Sequence, residues 1–342
     1  MHTAVRPAGA WQRARLRPLV TGAVLAAALA AVCPAGAQTP ATADAVPATA
    51  ATGPAMVARQ VSPSAWVVQG QSALGSPANQ NFISNAGFVI TPAGVVVIDA
   101  LGSPALATRL LAEIRRHTAL PVTHVVVTHY HADHIYGLQV FAEAGARIIA
   151  HAAAREYLQS DTARLRLEAS RTELTPWIDA RTRLVAADQW LTAGTDLVLG
   201  GVTLQVRPVG PAHTPEDLAV FLPAEKVLFA GDLVFRNRIP FVGQADSRRW
   251  IQALDALLAF DPSVIVPGHG PVSTETRQDM VLTRDYLLHL RQVMGSAARN
   301  LEPFDAAYRA ADWSRFERLP LFQAANRMNA YNTYLLMERE GD

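Results

Sequence analysis

The segment His129-Tyr130-His131-Ala132-Asp133-His134 decides the fold of this chain, and it directly follows the apolar run Val125-Val126-Val127-Thr128. Three imidazoles and one carboxylate so close together pack poorly in a core, but they are good ligands for first-row metals, most commonly zinc. His129 and His131 are two residues apart, so at a strand end their side chains point the same way. Asp133 and His134 follow the turn and should face a neighbouring position. The spacing therefore predicts two metal ions rather than one.

Three further apolar runs lead to a potential metal ligand, namely His213, Asp232 and His269. Strand ends are where sheet proteins mount rigid sites, because the sheet fixes the backbone and the loop frees the side chain. Glycines beside Asp232 and His269 would let the backbone come close to a metal. The alternative for residues 129–134 is a solvated polar loop without a metal. The three further potential metal ligands later in the sequence argue against this alternative.

These motifs resemble the metallo-β-lactamase superfamily. H-x-H-x-D-H, a later His-Thr, a Gly-Asp and a Pro-Gly-His-Gly occur in the family's order between residues 64 and 275. The resemblance implies an α/β fold, a four-layer αβ/βα sandwich with the metals at one edge between the sheets, followed here by a C-terminal helical extension. It also implies two Zn²⁺ ions per chain: the first held by His129, His131 and His213, the second by Asp133, His134 and His269, with Asp232 bridging them.

Two departures separate the chain from typical resistance enzymes of this family. Asp232 stands where subclass B1 β-lactamases carry Cys, and subclass B3 enzymes lack an acidic bridging ligand there. His131 stands where flavodiiron relatives have Glu, which favours zinc over iron. The segment Asn85–Asp99, near the start of the domain, and the long C-terminal helical segment are most similar to those of exported zinc hydrolases associated with periplasmic quinoprotein dehydrogenase systems. Such a dehydrogenase system is accordingly an expected partner.

The ligand set predicts a metal-dependent hydrolase that cleaves an amide, ester or thioester bond. Two zinc ions about 3.5–4 Å apart can share one water and lower its pKa, so that a metal-bound hydroxide attacks the carbonyl carbon. Asp133 is the expected catalytic residue, because it can orient that hydroxide as well as ligate. Asp99 ends a strand near the metal loop, and either hydrogen-bonds a ligand or its loop or simply caps the strand. Arg236 and His151 are secondary candidates for substrate binding.

Three other functions stay open at this point. The chain could be a class B β-lactamase that hydrolyses β-lactam antibiotics. It could be a mononuclear-iron protein like the persulfide dioxygenases, which use fewer of these ligands. It could also be a non-catalytic binding partner of periplasmic dehydrogenases that binds a metal without using it in catalysis. We expect specificity to lie in the loops at 70–81, 152–190 and 236–246, with the Arg-rich segment 152–184 forming a helical lid.

The N-terminal segment indicates export. Arg13, Arg15 and Arg17 precede the apolar stretch Leu19–Val32, which is short for a membrane span, and Ala35-Gly36-Ala37 fits a cleavage site. Residues 1–37 are therefore predicted to be a signal peptide. An Ala/Thr/Pro composition predicts a flexible linker over 38–57. The metal-binding domain then covers 58–275, and helices over 276–342 are predicted to form an outer packing layer.

Composition sets further bounds. Cleavage after Ala37 also removes Cys33, the single cysteine of the chain, which is compatible with an oxidising periplasm and excludes a cysteine ligand or nucleophile. The formal net charge is +1, so nothing indicates a nucleic-acid footprint. We expect a periplasmic or secreted protein that acts on a small-molecule substrate and is not a membrane protein after signal cleavage.

Overall fold

The computed structural model describes residues 53–340. The predicted signal peptide and the part of the predicted linker before residue 53 lie outside the described residues, so both stay predictions. Within the described range, no helix combines the length and apolar character needed to cross a membrane.

Two β-sheets form the centre of the fold. The first has its seven strands in chain order: β1 (Arg59–Gln60), β2 (Ala65–Val68), β3 (Ala86–Thr91), β4 (Gly94–Ile98), β5 (Val122–Val126), β6 (Arg147–His151) and β7 (Gln189–Leu191). The second has five strands in the spatial order β12-β11-β10-β9-β8: β8 (Thr195–Leu199), β9 (Val202–Pro208), β10 (Leu218–Leu222), β11 (Val227–Phe235) and β12 (Val264–His269). Strands β4 to β7 pair in parallel, as do β11 and β12.

Helices cover the outer faces of both sheets. Within the described residues they are α1 (Pro104–His117), α2 (Ala132–Ile135), α3 (Leu138–Glu143), α4 (Ala154–Leu158), α5 (Asp161–Glu173), α6 (Ser247–Leu258), α7 (Thr276–Arg299), α8 (Phe304–Ala310) and α9 (Phe322–Glu340). Helix α1 begins where Ser103 accepts a hydrogen bond from the backbone N–H of Leu106, and Pro104 fits the first helical turn. Its buried residues Leu106, Leu110 and Ile114 recur at helical spacing and face the first sheet.

Three hydrophobic clusters join these layers. The central cluster lies between the two sheets and includes Val89 and Val96 from the first sheet and Val206 and Val220 from the second. A second cluster packs α1 and α3 on the first sheet, and a third packs α6, α7 and α9 on the second. The order helix, sheet, sheet, helix confirms the predicted four-layer αβ/βα sandwich with C-terminal helices.

The C-terminal helices share the core of the second sheet. Met280 and Leu287 of α7 and Met337 of α9 are buried in one cluster with Trp250 of α6 and Leu233 of β11. Burying a large apolar side chain contributes about 1.5–3 kcal/mol relative to exposure, so this shared core holds the C-terminal helices firmly against the sheet.

Two elements near the metal motifs differ from the sequence expectation. The apolar run that leads to Asp232 belongs to β11, which continues to Phe235, and the pairing of β11 with β12 shifts register on both sides of Gly231. Asp232 therefore lies inside an irregular part of β11, where a bulge redirects the side chains, rather than after the strand's end. The segment 152–184, expected to form a helical lid, contains the helices α4 and α5, which end at Leu158 and Glu173, and its residues 174–184 form no helix.

Candidate metal centre

Seven side chains from four separate segments converge where the ends of the two sheets meet. The first segment follows β5 and runs into α2, and it supplies four of the seven. The others come from the loop after β9, from β11 and from the end of β12. The converging side chains are His129, His131, Asp133, His134, His213, Asp232 and His269.

One group consists of three imidazoles and a carboxylate. Nδ1 of His131 lies 3.1 Å from Nε2 of His129 and 3.0 Å from Nε2 of His213. Oδ2 of Asp232 lies 3.8 Å from Nε2 of His129 and 3.4 Å from Nε2 of His213. Four ligand atoms therefore surround one small volume.

The second group shares Asp232 with the first. Nε2 of His134 lies 3.2 Å from Oδ1 of Asp232 and 3.6 Å from Oδ2 of Asp133. Nε2 of His269 lies 3.2 Å from Oδ2 of Asp232 and 3.3 Å from Oδ2 of Asp133. Because its carboxylate faces both groups, Asp232 is placed to join two neighbouring ion positions.

Asp99 orients one imidazole of each group. Its Oδ2 lies 2.8 Å from Nδ1 of His134 and accepts a 2.8 Å hydrogen bond from Oγ1 of Thr128. Since the hydroxyl of Thr128 donates to Asp99, its oxygen is free to accept from Nδ1 of His129, 3.0 Å away. Both imidazoles therefore carry a proton on Nδ1, and each turns Nε2, the nitrogen that would bind a metal, toward the centre.

A backbone carbonyl sets the third tautomer. Nδ1 of His269 lies 2.8 Å from the carbonyl oxygen of Ile83 and 3.1 Å from Nη1 of Arg238. A carbonyl only accepts and a guanidinium only donates, so the ring nitrogen cannot satisfy both. The shorter contact assigns the proton to Nδ1, which leaves Nε2 of His269 bare and facing the two aspartates. Nε of Arg238 donates to the carbonyl of Ile239, at 3.3 Å, and its Nη1 is then available to another acceptor.

The donor set fits metal ions. A tetrahedral zinc ion with bonds of about 2.0–2.1 Å holds its ligand atoms about 3.3–3.4 Å apart, close to the separations between the ligand atoms here. Nε2 of His134 and Oδ1 of Asp232 are buried, and neither has a hydrogen-bond partner among the described residues. A buried polar atom without a partner costs about 1–3 kcal/mol, so these atoms need a cation between them. Imidazole and carboxylate together suit zinc.

The electrostatics of the site favour ligation. Burial is the largest influence on the imidazoles of the first group, and it lowers the pKa of His129 and His131 and lowers that of His213 to about 3. These rings are neutral and can bind a cation. Burial also opposes protonation of His134, but Asp232, Asp133 and Asp99 outweigh it and raise the pKa of His134. The aspartates thus demand a positive charge nearby, which a divalent cation would supply.

Polar anchors and one glycine hold the ligand segments in place. Asp217 accepts hydrogen bonds of 2.8 Å from both the backbone N–H and the hydroxyl of Thr214, which fixes the loop that carries His213. Nδ2 of Asn85 donates to the carbonyls of Pro267 and Gly270, both at 2.8 Å, on either side of His269. At Gly268 a Cβ would lie 2.0 Å from Oδ1 of Asp232, so only glycine fits beside this carboxylate.

A cavity of about 490 Å³ opens onto the ligands. The apolar part of its rim, here called the apolar rim, includes Leu74, which is 58% exposed, and Phe241, which is 39% exposed. The exposed Arg166, which forms an ion pair with a neighbouring glutamate, also lines the cavity. The guanidinium of Arg238 lines the interior, although the residue is only 5% exposed, and it lies 5.4 Å from the ring centroid of Phe235. Within residues 53–340 it forms no ion pair with a carboxylate. A buried cation beside an apolar rim is suited to an anionic substrate that also has an apolar part.

The structure does not bring the two predicted substrate-binding residues to this cavity. Nε of Arg236 lies 2.7 Å from Oδ2 of Asp279, and its Nη1 donates to the carbonyl of Val272. His151 ends β6 outside the cavity lining, and its Nδ1 accepts a 3.4 Å hydrogen bond from the N–H of Ala153. Arg238, two residues beyond Arg236, occupies the position expected for Arg236. Sequence reasoning missed it because nothing in the sequence shows which of the two arginines is neutralised by Asp279.

The family model of the metallo-β-lactamase superfamily matches residues 80–269, which is more than half of the chain. The chain belongs to the metallo-β-lactamase superfamily. The prediction of a metal-dependent hydrolase of this superfamily is confirmed at that level.

Individual relatives are more distant. Metallo-β-lactamase IND-1 of Chryseobacterium indologenes is 26% identical over 195 residues, covering 56% of this chain and 73% of that protein. A linear primary-alkylsulfatase of Pseudomonas sp. (strain ATCC 19151) is 24% identical over 236 residues, covering 58% of this chain and 44% of the alkylsulfatase. The chain thus spans less than half the length of that relative.

Solved structures of low identity share the fold. A stereoselective inverting sec-alkylsulfatase from Pseudomonas sp. superimposes with a TM-score of 0.66 at 18% identity, covering 82% of this chain and 50% of that one. A metallo-β-lactamase from Pontibacter korlensis gives a TM-score of 0.54 at 23% identity, covering 68% of this chain and 99% of that one.

Proposed function

We propose that the protein is an exported dinuclear zinc hydrolase that cleaves an amide, ester or thioester bond in an anionic small molecule. The observation that carries the proposal is the convergence of seven ligand side chains, five of them buried, with Asp232 facing both groups. His129, His131 and His213 would hold one zinc ion, Asp133, His134 and His269 the other, and Asp232 would bridge them. Export to the periplasm and an association with quinoprotein dehydrogenase systems belong to the same proposal and rest on the sequence features described above.

The bound ions would supply an acidified water and a Lewis acid for the substrate's carbonyl group. The chain's own residues then perform the remaining tasks. Asp133 has the most exposed carboxylate of the site, at 16%, and contacts both His134 and His269. It is placed to hold the attacking water, accept a proton from it and return that proton to the leaving heteroatom as the bond from the carbonyl carbon breaks.

Arg238 and the apolar rim determine how the substrate lies. The guanidinium would form a charge-assisted, bidentate contact with a carboxylate or a similar anion. Leu74 and Phe241 would contact the apolar part of the substrate and exclude water from the cavity. Asp99 and Thr128 would keep the imidazoles of His134 and His129 in their ligating orientation.

Metal content and turnover test this function together. The purified protein, loaded with zinc and dialysed, is expected to hold about two zinc ions per chain and to hydrolyse members of a panel of anionic esters, thioesters and amides. Replacement of Asp133 by Ala should abolish hydrolysis. One iron per chain would support the dioxygenase-like alternative instead, and an Asp133→Ala variant that binds a dehydrogenase partner while wild type hydrolyses nothing would support the non-catalytic alternative.

The β-lactamase alternative has its own test. A carbapenem and a chromogenic cephalosporin are incubated with micromolar zinc-loaded protein. Because Asp232 stands where subclass B1 enzymes carry Cys, we expect no turnover of either compound. Rapid hydrolysis of both would establish the β-lactamase function in place of the broader one.

Sulfate-ester hydrolysis is a second candidate function. It is favoured by Arg238, which forms no ion pair with a carboxylate in residues 53–340 and lies beside an apolar rim that suits an alkyl sulfate, and by the similarity to alkylsulfatases. Release of inorganic sulfate from dodecyl sulfate by the zinc-loaded protein tests it directly. Sulfate release without hydrolysis of any carbonyl substrate would replace the leading proposal.

A further inference from the structure

The loop that carries the proposed substrate contacts is held in its conformation by residues outside the loop. Residues 236–245, here called the Arg238 loop, join β11 to α6 and include both Arg238 and Phe241. The loop contains no helix or strand, so neither a helical nor a sheet ladder fixes its backbone. Yet Ile239 and Val242 are buried, and Arg238 is almost fully enclosed. Neighbouring elements must therefore define its conformation.

The C-terminal segment makes the defining contacts. Nδ2 of Asn329, on α9, donates a 2.7 Å hydrogen bond to the carbonyl of Pro240. Its Oδ1 accepts a 2.9 Å hydrogen bond from the N–H of Val242. The side-chain amide thus pairs with the loop backbone as a neighbouring strand would. The carbonyl of Pro320, just before α9, accepts a third hydrogen bond of 3.0 Å from the N–H of Ile239.

The amide of Asn329 has no freedom to turn. The N–H of Val242 can only donate and the carbonyl of Pro240 can only accept, so they fix which end of the amide is oxygen. The remaining hydrogen on Nδ2 goes to the hydroxyl of Tyr286 on α7, at 2.9 Å. That hydroxyl donates in turn to Oδ1 of Asn326, at 2.8 Å. Asn329 is fully buried, and all of its polar atoms are satisfied by groups of fixed position.

We infer that Asn329 is a positioning residue for substrate binding: it fixes the Arg238 loop, and the C-terminal helices thereby take part in specificity. The inference rests on the proposed function, because it assigns the anion contact to Arg238. It goes beyond the expectation that these helices form an outer packing layer. The contacts run through the backbone on both sides of Phe241, between the rim of the cavity and Arg238.

The chain offers a matched control for Asn329. Asn326 lies one turn away on the same helix, is equally buried and binds the same Tyr286 hydroxyl. Its second partner is the hydroxyl of Tyr308, at 3.1 Å, and not the Arg238 loop. Replacing either asparagine by Ala removes a buried amide from the same network, but only Asn329→Ala releases the loop.

Two measurements on the zinc-loaded full chain test the inference. In hydrogen–deuterium exchange, Asn329→Ala should accelerate exchange of peptides covering 236–245 by about tenfold or more, and Asn326→Ala should leave them within about twofold of wild type. In calorimetry, Asn329→Ala should weaken binding of octanoate, an anion with an apolar tail, about tenfold, with little change in Asn326→Ala. In an Arg238→Ala background, Asn329→Ala should weaken octanoate binding no further.

Each outcome has a defined meaning. Equal exchange of the 236–245 peptides in the two asparagine variants would overturn the inference, as would equal octanoate affinities in the two variants. Asn329→Asp keeps the acceptor for Val242 but loses the donor to Pro240, so partial protection of the loop is expected from it. If wild type does not bind octanoate, the anion site at Arg238 fails and the proposed function with it, while the exchange experiment still decides whether Asn329 holds the loop.

Discussion

The carboxylate of Asp99 accepts a 2.8 Å hydrogen bond from Nδ1 of His134, and both side chains are buried. The same oxygen reaches His129 through the hydroxyl of Thr128. One acid that supplies no bond to a metal therefore sets the ring orientation of a ligand in each group.

Replacing Asp99 by Asn should weaken zinc binding. An amide that keeps its oxygen toward His134 and the hydroxyl of Thr128 turns its NH₂ group toward the backbone N–H of Thr128, which is also a donor and now has no acceptor. We expect zinc affinity to fall about 10–100-fold, measured by competition with a chromogenic chelator. Asp188→Asn is the control, because Asp188 binds only the backbone N–H of Ile148 in the same sheet. Unchanged zinc affinity in Asp99→Asn would reduce Asp99 to a strand-end cap.

Substitutions of Arg236 and Arg238 should have different effects on substrate binding and on stability. Arg238→Ala removes a charged donor from the cavity, and a charge-assisted hydrogen bond is worth about 1.5–3 kcal/mol, so KM for an anionic substrate should rise about tenfold to a hundredfold. Arg236→Ala removes the ion pair with Asp279 and should lower stability while leaving KM within about twofold. Steady-state kinetics and thermal melts of both variants check this, and a larger KM effect from Arg236→Ala would reverse the assignment.

Gly268→Ala should disrupt the centre without replacing any of its ligand residues. The added methyl group would lie 2.0 Å from Oδ1 of Asp232, so this carboxylate must move. We expect loss of at least one zinc ion per chain by elemental analysis and a matching loss of activity. Gly295→Ala, near the C-terminal end of α7, is the control, because its added Cβ meets only the flexible side chains of Met337 and Arg299. Full zinc content in Gly268→Ala would show that zinc binding does not require the carboxylate of Asp232 at its present position.

Metal removal should lower stability substantially. An ion that binds only the folded chain stabilises it by about 4.1 kcal/mol at a concentration a thousand times its Kd. Treatment with EDTA is expected to lower the melting temperature, and added zinc should restore it. Asp232→Asn should recover much less of this stabilisation, because the side chain shared by both groups loses its charge. A melting temperature that EDTA does not change would contradict the prediction that these residues bind a stabilising metal ion.

The metal motifs were predictable from the sequence because ligand type and strand-end position are both local signals. Helix α1 depends on a local signal too, since the spacing of Leu106, Leu110 and Ile114 marks it within one segment. The four-layer order followed from the resemblance that these motifs support.

Long-range pairing was not predictable. Asp279 neutralises Arg236 from α7, and only the fold shows that Arg238 is the arginine left facing the cavity. The hydrogen bonds of Asn329 join residues 87 and 89 positions apart, and no periodicity in the sequence marks them. The bulge at Gly231 also depends on pairing between β11 and β12, which local propensity does not encode.

The Asn329 contacts have a consequence for how such a chain can change. Every residue that would bind metal lies before Gly270, whereas the amide that holds the Arg238 loop lies on the last helix. If Asn329 acts as inferred, reactivity and selectivity are encoded in separate stretches of sequence. Variation in the last helices could then retune which molecules are accepted while the metal ligands stay untouched.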